Sequence, residues 1–168
     1  IYKKMKVYLD KGRKMEKEKL IEEILEKEWA YFSKLNNIGG RADCQDNRED
    51  FIIMRKSQWE TFNEETLLSY LEDLNSKNNP LFQKYGQMMK YNSPQEYEKV
   101  KDILENPSKN KITLIEKIMS IYMEWEEEFF RKYPIFSSMG RPLYSKDDDD
   151  IETSIETYLR GELLSYSE

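Results

Sequence analysis

The sequence has 168 residues and a net charge of −6, from 27 Lys and Arg against 33 Asp and Glu. An acidic chain is not drawn to phosphate backbones or anionic bilayers, so nucleic acid is not an expected partner. It contains no histidine, which removes Ser-His-Asp and Cys-His catalysis, zinc centres and Glu-x-x-His di-iron sites unless a partner chain donates histidines.

A chain of this length buries roughly 70% of its unfolded surface on folding, enough for one domain with its own core. Aromatic residues make up 13% of it and supply large buried areas per side chain, which argues against disorder. The single cysteine forms no intramolecular disulfide, and no apolar run reaches the roughly 20 residues of a membrane span, so a soluble cytoplasmic protein is expected.

Residues 1–14, IYKKMKVYLDKGRK, carry six Lys or Arg against one Asp and read as a basic extension. They are too short and too polar for a signal peptide, and Met15 is a candidate native start. From Met15 to about Leu35, the residues Leu20, Ile21, Ile24, Leu25, Trp29, Phe32 and Leu35 fall three or four apart and predict one helix. Gly39 and Gly40 end it. A second helix is predicted to start at Asp46 or Asn47, where Asp46-x-x-Glu49 has the form of a capping box; it carries Phe51, Ile52, Ile53 and Met54 and runs to about Trp59.

Asn63 is a suitable N-cap for a third helix with Leu67, Leu68, Leu71 and Leu74 inward. A shorter helix is predicted from Leu81 to Tyr91. Ser93-Pro94-Gln95-Glu96 then combines a cap, a first-turn proline and a returning glutamate. After Asn106-Pro107 the longest helix shows Leu114, Ile115, Ile118, Met119, Tyr122, Trp125 and Phe129 before Pro134 stops it. Residues 134–150 read as a long polar loop, whose aspartates lack the alternating ligands and glycine of a calcium loop. Thr153-x-x-Glu156 caps a last helix with Ile155, Tyr158, Leu159, Leu163 and Leu164. No alternation of period two is sustained anywhere. The expected fold is therefore all-α: one helical bundle over residues 15–168, with about five to seven helices and two long polar loops.

Candidate chemistry gathers where polar groups interrupt this pattern. Arg55 follows Phe51 by four positions and Ile52 by three, so its guanidinium leaves the core-facing side of its helix, with Gln58 one turn on. Glu28 within the Ile24/Phe32 stripe, and Glu126 between Tyr122 and Phe129, are the carboxylates expected to answer Arg41, Arg55 or Arg141. A structural ion network satisfies this pattern, and so does an anion held by bidentate arginines. The loop NNIGGRADCQDNRE at 36–49 runs into a helix N-terminus, where backbone N–H groups from about Asp46 to Asp50 attract anions. Cys44 beside that end is a candidate nucleophile, although a small buried residue is the commoner role of a free cysteine. Glu23-x-x-Glu26 invites comparison with the helical pyrophosphohydrolases, but no Glu-x-x-Asp completes that motif. Gly161, in mid-helix beside Glu156 and Arg160, points to close helix approach.

Several separated strings, EKEWAYFSKLNNIGGRADCQD, FIIMRKSQW, KYGQMMKYNSPQEYEKVKDIL, WEEEFFRKYP, GRPLYS and ETYLRGELLSYS, occur together. They resemble the bacterial "domain of unknown function 4125" family from about Met15 to the end. The family brings no named activity. If its shared segments mark a site, the resemblance implies Asn37, Gly39, Gly40, Arg41, Cys44, Gln45, Asp46, Arg55, Gln58, Trp125, Glu126, Arg141, Tyr158 and Arg160.

Three functions fit. The first is a binding or accessory module with an Arg/Glu-lined pocket for a small anionic ligand or protein partner. The second is a histidine-free enzyme with Glu28 or Glu126 as general base, or Cys44 as nucleophile, and arginines stabilising charge. The third is a homodimeric interaction protein using its surplus aromatic and Met residues. No cofactor, metal or membrane association is expected in any of them.

Overall fold

A computed structural model describes the backbone of residues 2–36, 40–76, 79–149 and 152–168, with side chains from residue 16 onward. Within these residues lie eight α-helices and three short 3-10 turns and no strand, so the fold is all-α. Asn37 and Gly39, two of the sequence candidates, lie outside the described residues. The chain forms two compact units, residues 1–79 and 80–168.

The first unit contains α1 (Tyr2–Phe32), α2 (Arg48–Trp59) and α3 (Glu64–Asn75), with α1 packed on both others. The helix predicted from Met15 starts at Tyr2, so the basic segment continues it rather than preceding it. Ile21, Ile24, Leu25 and Phe32 bring the α1 stripe into the core, where Trp59, Leu67, Tyr70 and Leu74 meet it. Phe32 stacks on Phe51 with centroids 4.9 Å apart, and Trp29 lies 5.3 Å from Phe51.

The cap of α2 is Asn47 rather than the Asp46 box, and its Oδ1 accepts the Asp50 N–H at 3.2 Å. Asn63 caps α3 by accepting the Thr66 N–H at 2.8 Å. Four consecutive apolar residues cannot share one helix face. Ile53 and Met54 are accordingly exposed.

The second unit contains α4 (Pro80–Asn92), α5 (Pro94–Val100), α6 (Lys109–Lys132), α7 (Pro134–Ser137) and α8 (Ile155–Ser165). Its principal packing is α4 on α8, with α6 also against α8. Proline 94 does open α5, but the Ser93 side chain makes no capping hydrogen bond. The α8 cap is Ser154, one residue after the expected Thr153, and its Oγ accepts the Thr157 N–H at 3.2 Å. Residues 134–149 are not a plain loop, for Pro134 starts α7 and Ser145–Asp147 form a 3-10 turn. Asp148 organises this approach to α8 by accepting from the Ser154 N–H and the Thr157 hydroxyl.

The buried side of α8 is not its apolar stripe. Thr157, Gly161 and Glu162 are buried, whereas Ile155, Tyr158, Leu159, Leu163 and Leu164 are half-buried. Small residues allow the α4 backbone to come close. A Cβ built on Gly161 would stand 2.5 Å from Met88 Cγ and 3.0 Å from the Lys84 carbonyl oxygen.

Helix α6 bears two apolar rows. Ile115 and Met119 are buried, while Leu114, Ile118, Ile121 and Trp125 remain exposed.

Replacing Gly161 by Ala should destabilise the second unit despite a helix-propensity gain of about 1 kcal/mol, because overpacking against backbone costs about 1–3 kcal/mol. Gly86→Ala should cost less, since the atoms its Cβ meets belong to the movable Leu104 side chain. Urea denaturation of both variants followed by circular dichroism checks the order.

Candidate functional site

In the first unit the inward aim of Arg55 leads to Glu28, whose side chain has no solvent exposure. Arg55 Nε donates to Glu28 Oε2 at 3.0 Å and a terminal guanidinium nitrogen donates to Oε1. Trp59 Nε1 donates to Oε2 at 3.1 Å and Tyr70 Oη to Oε1 at 2.8 Å. Each carboxylate oxygen thus accepts two hydrogen bonds, near the capacity of the group. Gln58 Oε1 accepts from Arg55 at 2.8 Å, the guanidinium lies 5.0 Å from the centre of the Trp59 ring, and Trp59 stacks on Tyr70 at 4.3 Å. The arrangement is a closed, paired network rather than an open site.

Residues 41–46 reach back to the C-terminal end of α1. Gln45 has no solvent exposure; its Nε2 donates to the Phe32 and Leu35 carbonyls, both at 2.9 Å, and its Oε1 accepts the Ala42 N–H at 3.0 Å. Arg41 donates to the Ser33 carbonyl at 2.7 Å, to the Gln45 carbonyl at 2.9 Å, and through two nitrogens to Asp46 Oδ1 at 2.7 and 2.8 Å. These side chains donate to the carbonyls of Phe32, the last residue of α1, and of Ser33 and Leu35 just beyond it. Gly40 has φ +93°, a conformation favouring glycine.

The α2 N-terminus beyond the loop carries Glu49 and Asp50 in its first turn, which disfavours an added anion there. Cys44 is exposed, contrary to the commoner buried role, because the 3-10 turn Asp43–Gln45 turns Gln45 inward instead. The Arg41 hydrogen bond holds the Asp46 carboxyl below its ordinary value.

In the second unit Arg141 donates to the Thr153 carbonyl at 3.0 Å and lies 5.0 Å from the centre of the Tyr158 ring. Lys84 also lies over that ring, at 3.8 Å, and forms a buried ion pair with Glu162, whose Oε1 accepts from Tyr166 Oη at 2.6 Å. Neither member of that pair was singled out in the sequence. The signal was present, since Lys84 stands three after Leu81 and four before Met88, the spacing that exposed Arg55. Glu126 is half-buried beside Tyr122, where burial and then the Glu126 charge push the phenol pKa up.

Arg160 opens onto a cleft of about 270 Å³ in this unit. One guanidinium nitrogen pairs with Glu116 Oε1; the other lies 3.4 Å from Glu116 Oε2 and 3.7 Å from Glu156 Oε1. Lys90 and Lys101 add positive charge to the lining and Glu105 negative charge; Lys101 is already paired with Glu98 at 2.5 Å, which leaves Arg160 and Lys90 as the cations facing the cleft. Tyr91 and Tyr97 stand beside Leu104, Ile112 and Leu164 as the aromatic and apolar walls. Burial raises the Tyr91 pKa although Arg160 works against it, so the phenol keeps its proton at neutral pH and remains a donor.

A separate groove of about 930 Å³ between α1 and α2 is crossed by the Arg48–Glu26 pair and by Lys17 donating to the Glu60 carbonyl. Among the described residues, no group of three or more Cys, Asp or Glu side chains is placed to hold a metal ion. No helix of the described residues is long and apolar enough to cross a membrane.

Comparison with known proteins gives one finding. The family described as "Protein of unknown function (DUF4125)" matches residues 18–168. No curated protein and no solved structure matches the chain.

Two expectations follow from the geometry. Glu28→Met or Arg55→Met alone should destabilise the first unit by about 3–5 kcal/mol, because each leaves a buried charge unpaired. The double variant should lose far less than the sum of the two, which a double-mutant cycle in urea measures directly.

For the loop, a folded-state pKa below the unfolded one means that the Arg41–Asp46 contribution is complete above the ordinary carboxylate range. It is lost as pH falls through the lowered folded value. An NMR titration of Asp46 should therefore move back up to the ordinary value in Arg41→Ala.

Proposed function

The chain belongs to the protein family of unknown function DUF4125, and we propose that it is a binding module taking a small anionic ligand, a carboxylate or phosphate, in the Arg160 cleft. The observation that carries this is the contrast between two arginines. Arg55 is 7% exposed and its carboxylate partner 0%, whereas the Arg160 side chain is 17% exposed and that of Glu116 is 55%.

An exposed partner leaves its arginine cheaply, because water solvates it on release, so an incoming anion can take the place of Glu116 on the same two guanidinium nitrogens. Lys90 adds a second cation to the lining, Tyr91 supplies a hydroxyl donor, and the apolar wall favours a ligand with a short hydrocarbon or aromatic body. The volume lies just below the roughly 300 Å³ at which drug-sized sites begin, which restricts the ligand to a small molecule. The enzyme reading has less support, since Glu28 already accepts four hydrogen bonds and is ion-paired. Arg41, Gln45, Asp46, Arg55 and Gln58 serve on this reading as the scaffold of the first unit.

Thermal unfolding in the presence of inorganic phosphate and short carboxylates tests the proposal. A ligand at a hundred times its Kd should stabilise by about 2.7 kcal/mol. Arg160→Ala should abolish that shift, and Glu116→Gln, which removes the competing charge, should enlarge it. A phosphate or carboxylate response that is unchanged in both variants overturns the assignment, as does an absence of response in the parent and in Glu116→Gln.

A further inference from the structure

We propose that the exposed row of α6 is a self-association seam, closing antiparallel against α6 of a second copy of this chain. Leu114, Ile118, Ile121 and Trp125 follow one another at intervals of four, three and four, the alternation of a coiled-coil seam. They are 43, 45, 52 and 64% exposed, although the other apolar row of the same helix is buried. A soluble chain seldom leaves such a row open to water unless it meets a partner there.

The charges beside the row identify the occupant and its direction. The first half of α6 holds Lys109, Lys111 and Lys117 against Glu116, while the second holds Glu124, Glu126, Glu127 and Glu128 against Arg131 and Lys132, an excess of two positive charges in one half and of two negative charges in the other. The helix is therefore complementary to itself when reversed. An antiparallel copy placed with Ile118 across from Ile121 and Leu114 across from Trp125 brings Lys117 beside Glu124 of its mate, and twofold symmetry makes that contact twice. Lys117 and Glu124 are both exposed and flank the seam. A parallel copy would instead lay the four glutamates of one helix alongside the four of the other.

Sedimentation equilibrium of the full chain, in reductant, tests it. At roughly 100 μM the parent should show twice the single-chain mass of 20.4 kDa. Ile118→Glu with Ile121→Glu should return a single-chain mass with unchanged helical circular dichroism. Lys117→Glu alone should weaken association by about tenfold or more, by setting like charges together, and adding Glu124→Lys should restore it.

A parent that stays at single-chain mass overturns the proposal and assigns the row to a different partner. A dimer that survives the paired Glu substitutions places the interface elsewhere. Failure of the charge exchange to recover association removes the antiparallel arrangement.

Discussion

A charge taken out of water must bring its counter-charge along, and each helical unit is arranged around one such pair. In the first, Glu28 from α1 meets Arg55 from α2, and Trp59 and Tyr70 deliver the remaining donors from α2 and α3. Three helices thus converge on one carboxylate. The second unit uses Lys84 of α4 and Glu162 of α8, with Tyr158 beneath the ammonium and Tyr166 on the carboxylate. Such pairs add little net stability over a well-packed apolar core, but a helix displaced by one residue would leave a charge buried and unanswered. Their contribution is therefore to the choice of register, while Ile24, Leu67 and Leu74 supply the apolar burial.

The same chemistry changes meaning with depth. Arg55 and Arg160 both hold a carboxylate through two nitrogens, yet one pair is sealed and the other opens onto a cleft. Desolvation decides between them. Separating the buried pair strands two ions in a poor solvent, whereas the exposed glutamate is released into water. Arginine content alone therefore says little about where a ligand belongs.

What was legible in the sequence followed from spacing. The helices of the fold other than α7, the caps at Asn63 and near Asn47, and the inward direction of Arg55 and Glu28 could be read from neighbours three and four positions away. Spacing was silent on which of two apolar rows of α6 is buried, because Ile115 and Met119 look no different from Ile118 and Ile121 in a linear string. It misplaced the contact face of α8, where Thr157 and Gly161 matter for being small rather than apolar. The cleft escaped notice because its residues come from four segments and only Arg160 stood out by itself. The polar loop was recognised as unusual, but its role as a cap for α1 depends on Gln45 reaching back thirteen residues to the Phe32 carbonyl, a distance no local rule covers.

The lone thiol has a practical consequence. Cys44 points outward from a turn whose neighbours on either side are tied down, Asp43 by the Asp46 N–H to its carbonyl and Gln45 by its buried amide. A maleimide dye attached there would sit on a short tether over a rigid base. Its fluorescence anisotropy would then follow the tumbling of the whole N-terminal unit rather than local wobble, giving a single-site reporter without engineered cysteines.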